Sequence, residues 1–276
     1  MARTAWYPGH MAKGKRKLAE LAGKLDIILE VRDARAPRVT SSPVADEMAS
    51  MCSMAVVLAK EDLADKKSTA AWLSWFASKG KKAWAVNLLQ PRMNVLRKEL
   101  VSLAPPHREV RLAVVGIPNV GKSMLLNALV GKSTAPVGGI PGITRGVSWY
   151  KGRGILAVDS PGILDPRSDE EIQRCLAWLG SSKAEVIGGY DVIALDLISV
   201  LRRKGLWPMV EEKWDVPAPD EAGDGEILES LGRRLGCLVS GGGVDTHLAA
   251  RRFVEAFSTG RFGPVTLELP GDPPWT

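Results

Sequence analysis

The stretch Gly116-Ile117-Pro118-Asn119-Val120-Gly121-Lys122-Ser123 constrains this chain more than any other. It has the form G-x-x-x-x-G-K-S, follows the apolar run Leu112 to Val115 and precedes a helical pattern from Met124 to Val130. Strand, glycine-rich loop and helix in that order are what a phosphate-binding loop requires. The glycines let the backbone come close to an anion, so that successive N–H groups point inward. The following helix adds its positive N-terminal end. In such a loop Lys122 reaches the β- and γ-phosphates of a nucleotide and Ser123 holds magnesium. The alternative, a chance match in a glycine-rich turn, would not also supply the strand before and the helix after.

Runs of apolar and β-branched residues predict strands over Asp26–Val31, Met54–Leu58, Ala83–Val86, Arg111–Val115 and Ile155–Val158. Helical patterns such as Ala12–Leu25 and Thr69–Lys79 fall between them. Alternating strands and helices predict an α/β fold with a mostly parallel sheet and helices on both faces. Ligands of such sheets sit at the carboxyl ends of the strands, and each chemical motif here follows a predicted strand end.

The last predicted strand runs into Asp159-Ser160-Pro161-Gly162. D-x-x-G downstream of a phosphate loop is the usual second half of a nucleotide switch. Asp159 would position magnesium through water, and the Gly162 N–H would face the γ-phosphate. Alone, this tetrapeptide is also an ordinary turn; its pairing with the phosphate loop gives it weight. Between the two lies Gly139-Ile140-Pro141-Gly142-Ile143-Thr144, a loop by composition. Thr144 is placed there to touch magnesium and the γ-phosphate, a role that rests on position alone.

Ala59-Lys60-Glu61-Asp62 closes the Met54 strand and is similar to the guanine-reading motif N-K-x-D. A carboxylate at Asp62 can accept from both N1–H and the 2-amino group of guanine, a donor pair adenine lacks. Lys60 would lay its stem over the base. The alternative is a charged loop after a strand. Most GTPases carry this motif after the phosphate loop; here it comes first, which requires circular permutation of the sheet. Asn87, at the end of the next strand, is a weaker candidate for the base pocket.

Charge is distributed unevenly. Residues 1–162 carry 25 Lys and Arg against 12 Asp and Glu, whereas residues 163–276 carry 12 against 19. A basic front half suits a polyanionic partner. No apolar run approaches the roughly 20 residues that span a bilayer, so no membrane role is expected. Three cysteines, at 52, 175 and 237, fit a reducing compartment better than a disulfide framework. Beyond Gly162, helical stripes recur: Ile193, Leu197, Val200 and Leu201; Leu228, Leu231 and Leu235; Ala249, Phe253 and Phe257. Asp245 or Thr246 would cap the last helix. The acidic stretch from Glu211 to Glu229 reads as a solvated loop. His107 and His247 stand isolated and carry no role.

The permuted order, together with Trp6-Tyr7-Pro8-Gly9-His10-Met11-Ala12-Lys13, Asp33-Ala34-Arg35, Pro141-Gly142-Ile143-Thr144, Asp159-Ser160-Pro161-Gly162-Ile163-Leu164 and Gly236-Cys237-Leu238-Val239-Ser240-Gly241-Gly242, resembles the circularly permuted GTPases. The likeness is nearest to ribosome biogenesis GTPase A and its mitochondrial relatives, and runs almost end to end. It implies a GTPase domain over 1–170, including the basic N-terminal segment, and a helical domain over 171–276 that contacts RNA. It implies GTP and GDP as ligands, magnesium, and hydrolysis stimulated by the large ribosomal subunit.

Nucleotide-binding positions carried over are Ala59, Lys60, Glu61, Asp62, Asn119, Val120, Gly121, Lys122, Ser123, Met124 and Gly162. Ser123, Thr144 and Asp159 would serve magnesium, and Asn119 resembles a potassium ligand of cation-activated GTPases. Catalytic roles fall to Lys122, Thr144 and His10. The last replaces a water-orienting Gln, because Ile163 follows the D-x-x-G glycine and cannot bond water. His10 as a docking residue is the alternative. Lys13, Lys15, Arg16 and Lys17 would contact phosphate. Expected partners are the large subunit and its ribosomal RNA, with the chain itself a monomer without a stable protein partner. The expected compartment is the bacterial cytoplasm, or else the mitochondrial matrix. Two departures stand out: Ala59 where the family has Asn, and a net acidic C-terminal part. They leave open an RNA- or ribosome-binding scaffold with a weak nucleotide site, and the phosphate loop alone would also suit an ATP-dependent kinase.

Overall fold

The computed structural model describes residues 16, 18–131, 148–160 and 169–273. Two compact units emerge. One comprises Met1–Arg167 and Glu268–Asp272; the other comprises Ser168–Leu267 and Pro273–Thr276.

The first unit is built on a six-stranded sheet in the order β3-β2-β1-β4-β6-β5. Its strands are β1 (Ile27–Asp33), β2 (Met54–Ala59), β3 (Ala83–Val86), β4 (Val110–Val115), β5 (Trp149–Gly152) and β6 (Ile155–Asp159). All pairs are parallel except β5 with β6. The α/β architecture expected from the strand and helix alternation is therefore present. Its five expected strands lie within two residues of their predicted bounds. β1 is central, with β2 on one side and β4 on the other. The strand that leads into Lys60 and Asp62 thus precedes the phosphate-loop strand in the chain, yet only β1 lies between the two in the sheet.

β5 is the strand the sequence reading lacks. It is short, and Arg153 and Gly154 (φ 54° and 79°) turn it tightly back into β6. Two successive left-handed residues match the right-handed twist of a hairpin, and the Arg-Gly pair ahead of Ile155 was the available signal.

Strands buried on both faces are rich in branched apolar residues. On one face Ile28, Ala113, Val115, Leu156 and Val158 pack with Val44, Met48 and Trp149, and with Leu18 and Leu21 from the helical residues 18–22. Further along the same face, where Glu30 aligns with Val56 and Arg32 with Leu58, Val56 and Leu58 pack on Trp72 and Phe76 of the helix Lys66–Ser78. Asp65 caps that helix through the Ser68 N–H at 2.8 Å, satisfying one of its orphan donors. β1 also buries Glu30, Arg32 and Asp33. Each is paired, since an unpaired buried charge would be prohibitive: Arg32 lies 2.7 Å from Glu30, and Asp33 is described below.

The second unit is helical. The stripe Ile193, Leu197, Val200 and Leu201 is buried on the helix Tyr190–Arg203. Ala249, Phe253 and Phe257 are buried on Thr246–Ser258, which Asp245 caps through the Leu248 N–H. Phe253 and Phe262 meet Trp214, with ring centroids 6.2 Å and 4.5 Å away. The acidic stretch read as a solvated loop is corrected here. It holds part of the helix Pro208–Trp214 and the start of Asp224–Arg234, with irregular chain only between. The acids lie on outer faces, while Val210, Ile227 and Leu228 turn inward, so the net charge of the stretch concealed an amphipathic pattern. Among the described residues, no helix is long and apolar enough to cross a membrane.

Candidate nucleotide-binding site

The carboxyl end of β4 leads into Gly116 at φ 152°. A Cβ there would lie 2.6 Å from the Val31 carbonyl oxygen of β1, so only glycine fits this close crossing. The loop ends at Gly121, again left-handed (φ 107°), immediately before the helix Lys122–Val130. This is the strand–loop–helix arrangement expected from the motif.

The loop borders a cleft of about 560 Å³ lined by Asn119, Gly121, Lys122, Ser123, Met124 and Asp159. Pro118 and Ser160 complete the lining. Val120 is fully buried and is not part of it. Its side chain packs near Gly116, so only its backbone can serve an anion. Asn119 is exposed and left-handed at φ 58°.

Lys122 is largely buried and donates to the Ile117 carbonyl at 2.7 Å. Burial pushes its ammonium below the usual lysine range, and the Asp159 carboxylate opposes that shift. Ser123 Oγ donates to Asp159 Oδ2 at 3.1 Å. The other carboxylate oxygen, Asp159 Oδ1, is buried without a hydrogen-bond partner. Burial pushes the Asp159 carboxyl up, offset only in part by Ser123 and Lys122. A hydroxyl beside a desolvated carboxylate with an unsatisfied oxygen suits a hard, oxygen-seeking divalent cation such as magnesium.

The guanine-reading candidates lie at the end of β2. Ala59 is buried, Lys60 is left-handed (φ 59°), and Glu61 and Asp62 are exposed in the single turn Glu61–Leu63. The Ala59 Cβ sits 3.5 Å from where a Cβ on Gly121 would be, and Leu88 Cδ1 sits 2.9 Å from the same point. The two loops, far apart in sequence, are therefore close neighbours, and the atoms beside Gly121 on that side are apolar. An Asn at position 59 would make such a junction by hydrogen bonding; here Ala59 and Leu88 line it with apolar atoms.

Lys60 Nζ lies 2.9 Å from Asp33 Oδ2. Arg35 binds the same carboxylate in a fork, from Nε at 3.0 Å and Nη2 at 2.8 Å. Burial alone would push the Asp33 carboxyl up; Arg35 and Lys60 overcome it and hold it well below the usual carboxylate range. Asp33 and Arg35 entered the sequence reading only through family likeness, and Leu88 not at all. Leu88 follows the carboxyl end of β3, where residues near a ligand are expected. Asn87, a weak candidate for the base pocket, accepts instead from the N–H groups of Leu89 and Gln90 in its own turn. His10, Thr144 and Gly162 lie outside the described residues, as do Lys13, Lys15, Lys17 and Ile163. Among the described residues, no cluster of three or more His, Cys, Asp and Glu side chains forms a metal site.

Residues 111–199 match the 50S ribosome-binding GTPase family. The chain is 32% identical over 280 residues to ribosome biogenesis GTPase A of Bacillus cereus, covering 96% of this chain and 93% of that protein. It is 33% identical over 270 residues to the protein of that name from Thermotoga maritima, covering 97% and 95%. Against mitochondrial ribosome-associated GTPase 1 of Mus musculus the identity is 31% over 295 residues, covering 95% and 89%. Among solved structures, GNP-bound YlqF from T. maritima superposes with a TM-score of 0.66 at 27% identity, covering 94% of this chain and 99% of that one. A GDP-bound YlqF structure gives 0.69 at 28%, covering 93% and 100%.

Proposed function

This chain belongs to the ribosome biogenesis GTPase A family, and we propose that it binds GTP in the cleft beside Lys122, hydrolyses it to GDP and phosphate, and acts as an assembly factor on the large ribosomal subunit. The observation that carries the reading is the close approach of Ala59 to Gly121. It joins a loop suited to phosphate with a loop suited to guanine at the carboxyl ends of one parallel sheet, where α/β proteins hold their ligands.

The backbone N–H groups from Asn119 to Ser123 would cradle the β- and γ-phosphates, and the helix that starts at Lys122 adds its positive end. Lys122 exchanges its bond to the Ile117 carbonyl for phosphate oxygens. Its burial makes that charge more effective than a solvated lysine would be. Ser123 and Asp159 are the residues that would hold magnesium, whose charge neutralises phosphate oxygens as the γ-phosphate departs. Asp62 accepts from guanine N1–H and the 2-amino group, while Lys60, anchored on Asp33, presents its stem to the base. Val120 contributes backbone only, and Met124 borders the cleft mouth. Glu61 contributes through its place in the turn.

Outside the described residues, Thr144 and the Gly162 N–H complete the γ-phosphate contacts in this reading, and His10 orients the attacking water in place of Gln. Asn119 would hold a potassium ion, whose charge would offset that of the phosphates. Residues 1–170 and 171–276 act as nucleotide and RNA-contacting domains of a monomer. Ribosomal particles stimulate turnover, and the site of action is the bacterial cytoplasm or the mitochondrial matrix.

The deciding experiment measures GTP turnover in potassium and in sodium, with and without large subunits, for this chain and for His10→Ala. ATP and GTP are run in competition for binding. Preferential GTP binding with particle-stimulated turnover is the expected result; equal binding of the two purines ends the proposal.

A further inference from the structure

Glu268 is 2% exposed and belongs to the first unit, although it follows residues Ser168–Leu267 of the helical one in the chain. Its Oε1 accepts from the backbone N–H of Arg38 and, at 3.1 Å, from that of Val39. Its backbone carbonyl accepts from Trp72 Nε1 at 2.9 Å. Arg38 closes over the segment that follows. Its guanidinium donates to the carbonyls of Asp272 at 2.8 Å and Pro270 at 3.0 Å, and lies 5.9 Å from the Trp72 ring centroid. The short tail Glu268–Asp272 is thus a strap on the nucleotide unit, 196 residues away in sequence from Trp72 and 230 from Arg38.

The strap acts on one small loop. Residues 34–40 begin where β1 ends at Asp33. Inside the loop, Thr40 Oγ1 accepts from the Asp33 N–H at 2.9 Å and donates to the Ala36 carbonyl at 2.7 Å. The Asp33 carboxylate in turn holds Arg35 and Lys60. The loop is therefore pinned from within at Asp33, Ala36 and Thr40, and from without at Arg38 and Val39 by Glu268. Removing the carboxylate would leave one part-buried and one buried N–H donor without this acceptor, so the loop would move to find others. Asp33 would move with it, and Lys60 with Asp33.

We propose that Glu268 is a positioning residue for purine recognition: by fixing the loop 34–40 it fixes Asp33, and through Asp33 the lysine that lies beside the base. The inference rests on the assignment of guanine to Lys60 and Asp62. Glu268 touches no nucleotide; it acts only through the loop.

The test compares full-length wild type with Glu268→Ala, Glu268→Gln and Arg38→Ala. Fluorescent GDP is displaced by GDP and, separately, by inorganic pyrophosphate, and the melting temperature of each variant is recorded. A merely structural role would weaken both competitors together. The proposal expects Glu268→Ala to weaken GDP about tenfold and leave pyrophosphate unchanged. Glu268→Gln, whose amide oxygen still accepts both N–H groups, stays within about twofold of wild type. Arg38→Ala leaves the buried carboxylate in place and loosens only the strap, so it shows a smaller loss of the same kind. If Glu268→Ala does not fold, Arg38→Ala carries the comparison. Unchanged GDP binding, an equal loss for GDP and pyrophosphate, or failure of the Gln variant to rescue overturns the proposal. Asp62→Ala is run alongside: if it binds GDP like wild type, the purine assignment itself is wrong, whatever the Glu268 variants do.

Discussion

Lys60 reaches across to the neighbouring strand and sets its ammonium 2.9 Å from the buried carboxylate of Asp33. The side chain is about one quarter exposed, the carboxylate not at all. One end of the lysine is thereby fixed by β1, while its backbone, left-handed at φ 59°, begins the turn that presents Asp62. The ion pair thus adds a side-chain link between the strand core and the loop proposed to read the base, beside the backbone bond from the Ala34 N–H to the Ala59 carbonyl.

Asp33→Asn leaves the Arg35 guanidinium buried without its counter-charge. Breaking a buried pair in this way costs about 3–5 kcal/mol, to be read from urea unfolding. The pH dependence has a definite sign. The folded carboxyl titrates below its usual value of 3.8. Its contribution to stability is therefore present above that value and is lost as pH falls through the folded pKa. The Asn variant should lack this component of acid unfolding, and an acid profile identical to wild type would count against the clamp.

Asp62→Asn should exchange the preferred purine. A carboxamide cannot accept from both N1–H and a 2-amino group, but it can accept from N1–H and donate to a 2-carbonyl. GTP affinity should fall by about 100-fold and XTP affinity should rise. Competition binding of the two nucleotides measures both. A variant that keeps its preference for GTP would remove Asp62 from the base site.

Asp159→Asn should reduce magnesium-dependent GTP binding while changing magnesium-free binding little. In wild type the carboxyl titrates above its usual value because it is desolvated. Magnesium needs the ionised form, so its contribution is full above that raised pKa and is lost as pH falls through it. The same raised pKa works against the metal-free fold. Stability from the protonated acid is present below the unfolded value and is lost as pH rises through the folded one. Titrating magnesium at several pH values checks this, and a pH-independent magnesium affinity would contradict it.

Gly121→Ala places a Cβ 2.9 Å from Leu88 at φ 107°. The strain should cost about 1–3 kcal/mol and abolish tight nucleotide binding. Ala59→Asn crowds the same junction from the other side. Combined with Leu88→Ala it should recover part of its loss, giving a coupling of about 0.5–3 kcal/mol in a double-mutant cycle. Simple additivity would mean the two side chains do not share that space.

Phe253→Ala, in the helical unit, empties the centre of a cluster with Trp207, Trp214 and Phe262. A loss of about 3–5 kcal/mol is expected, read as an early transition of that unit in calorimetry with nucleotide binding intact.

The phosphate loop and the five strands other than β5 were legible because each rests on local chemistry: glycines where the backbone must turn left, branched residues where both faces are buried. Capping by Asp245 and the apolar stripe from Ile193 to Leu201 are equally local, since a helix repeats within a few residues. The permuted order of the motifs could be read along the chain for the same reason. Other features depend on what approaches from elsewhere. That Ala59 and Leu88 meet Gly121, that Asp33 is shared by Arg35 and Lys60, and that Glu268 pins Arg38 and Val39 are long-range contacts. No periodicity encodes them, because a contact between distant segments is fixed only when the sheet brings its strand ends together. The acidic run from Glu211 to Glu229 shows the converse. Its charge is a property of the sequence, but which residues turn inward was decided by the helices it packs into. Sequence determined the chemistry this chain carries; tertiary packing decided which side chains hold which, because burial turns an ordinary carboxylate such as Asp33 or Glu268 into an anchor.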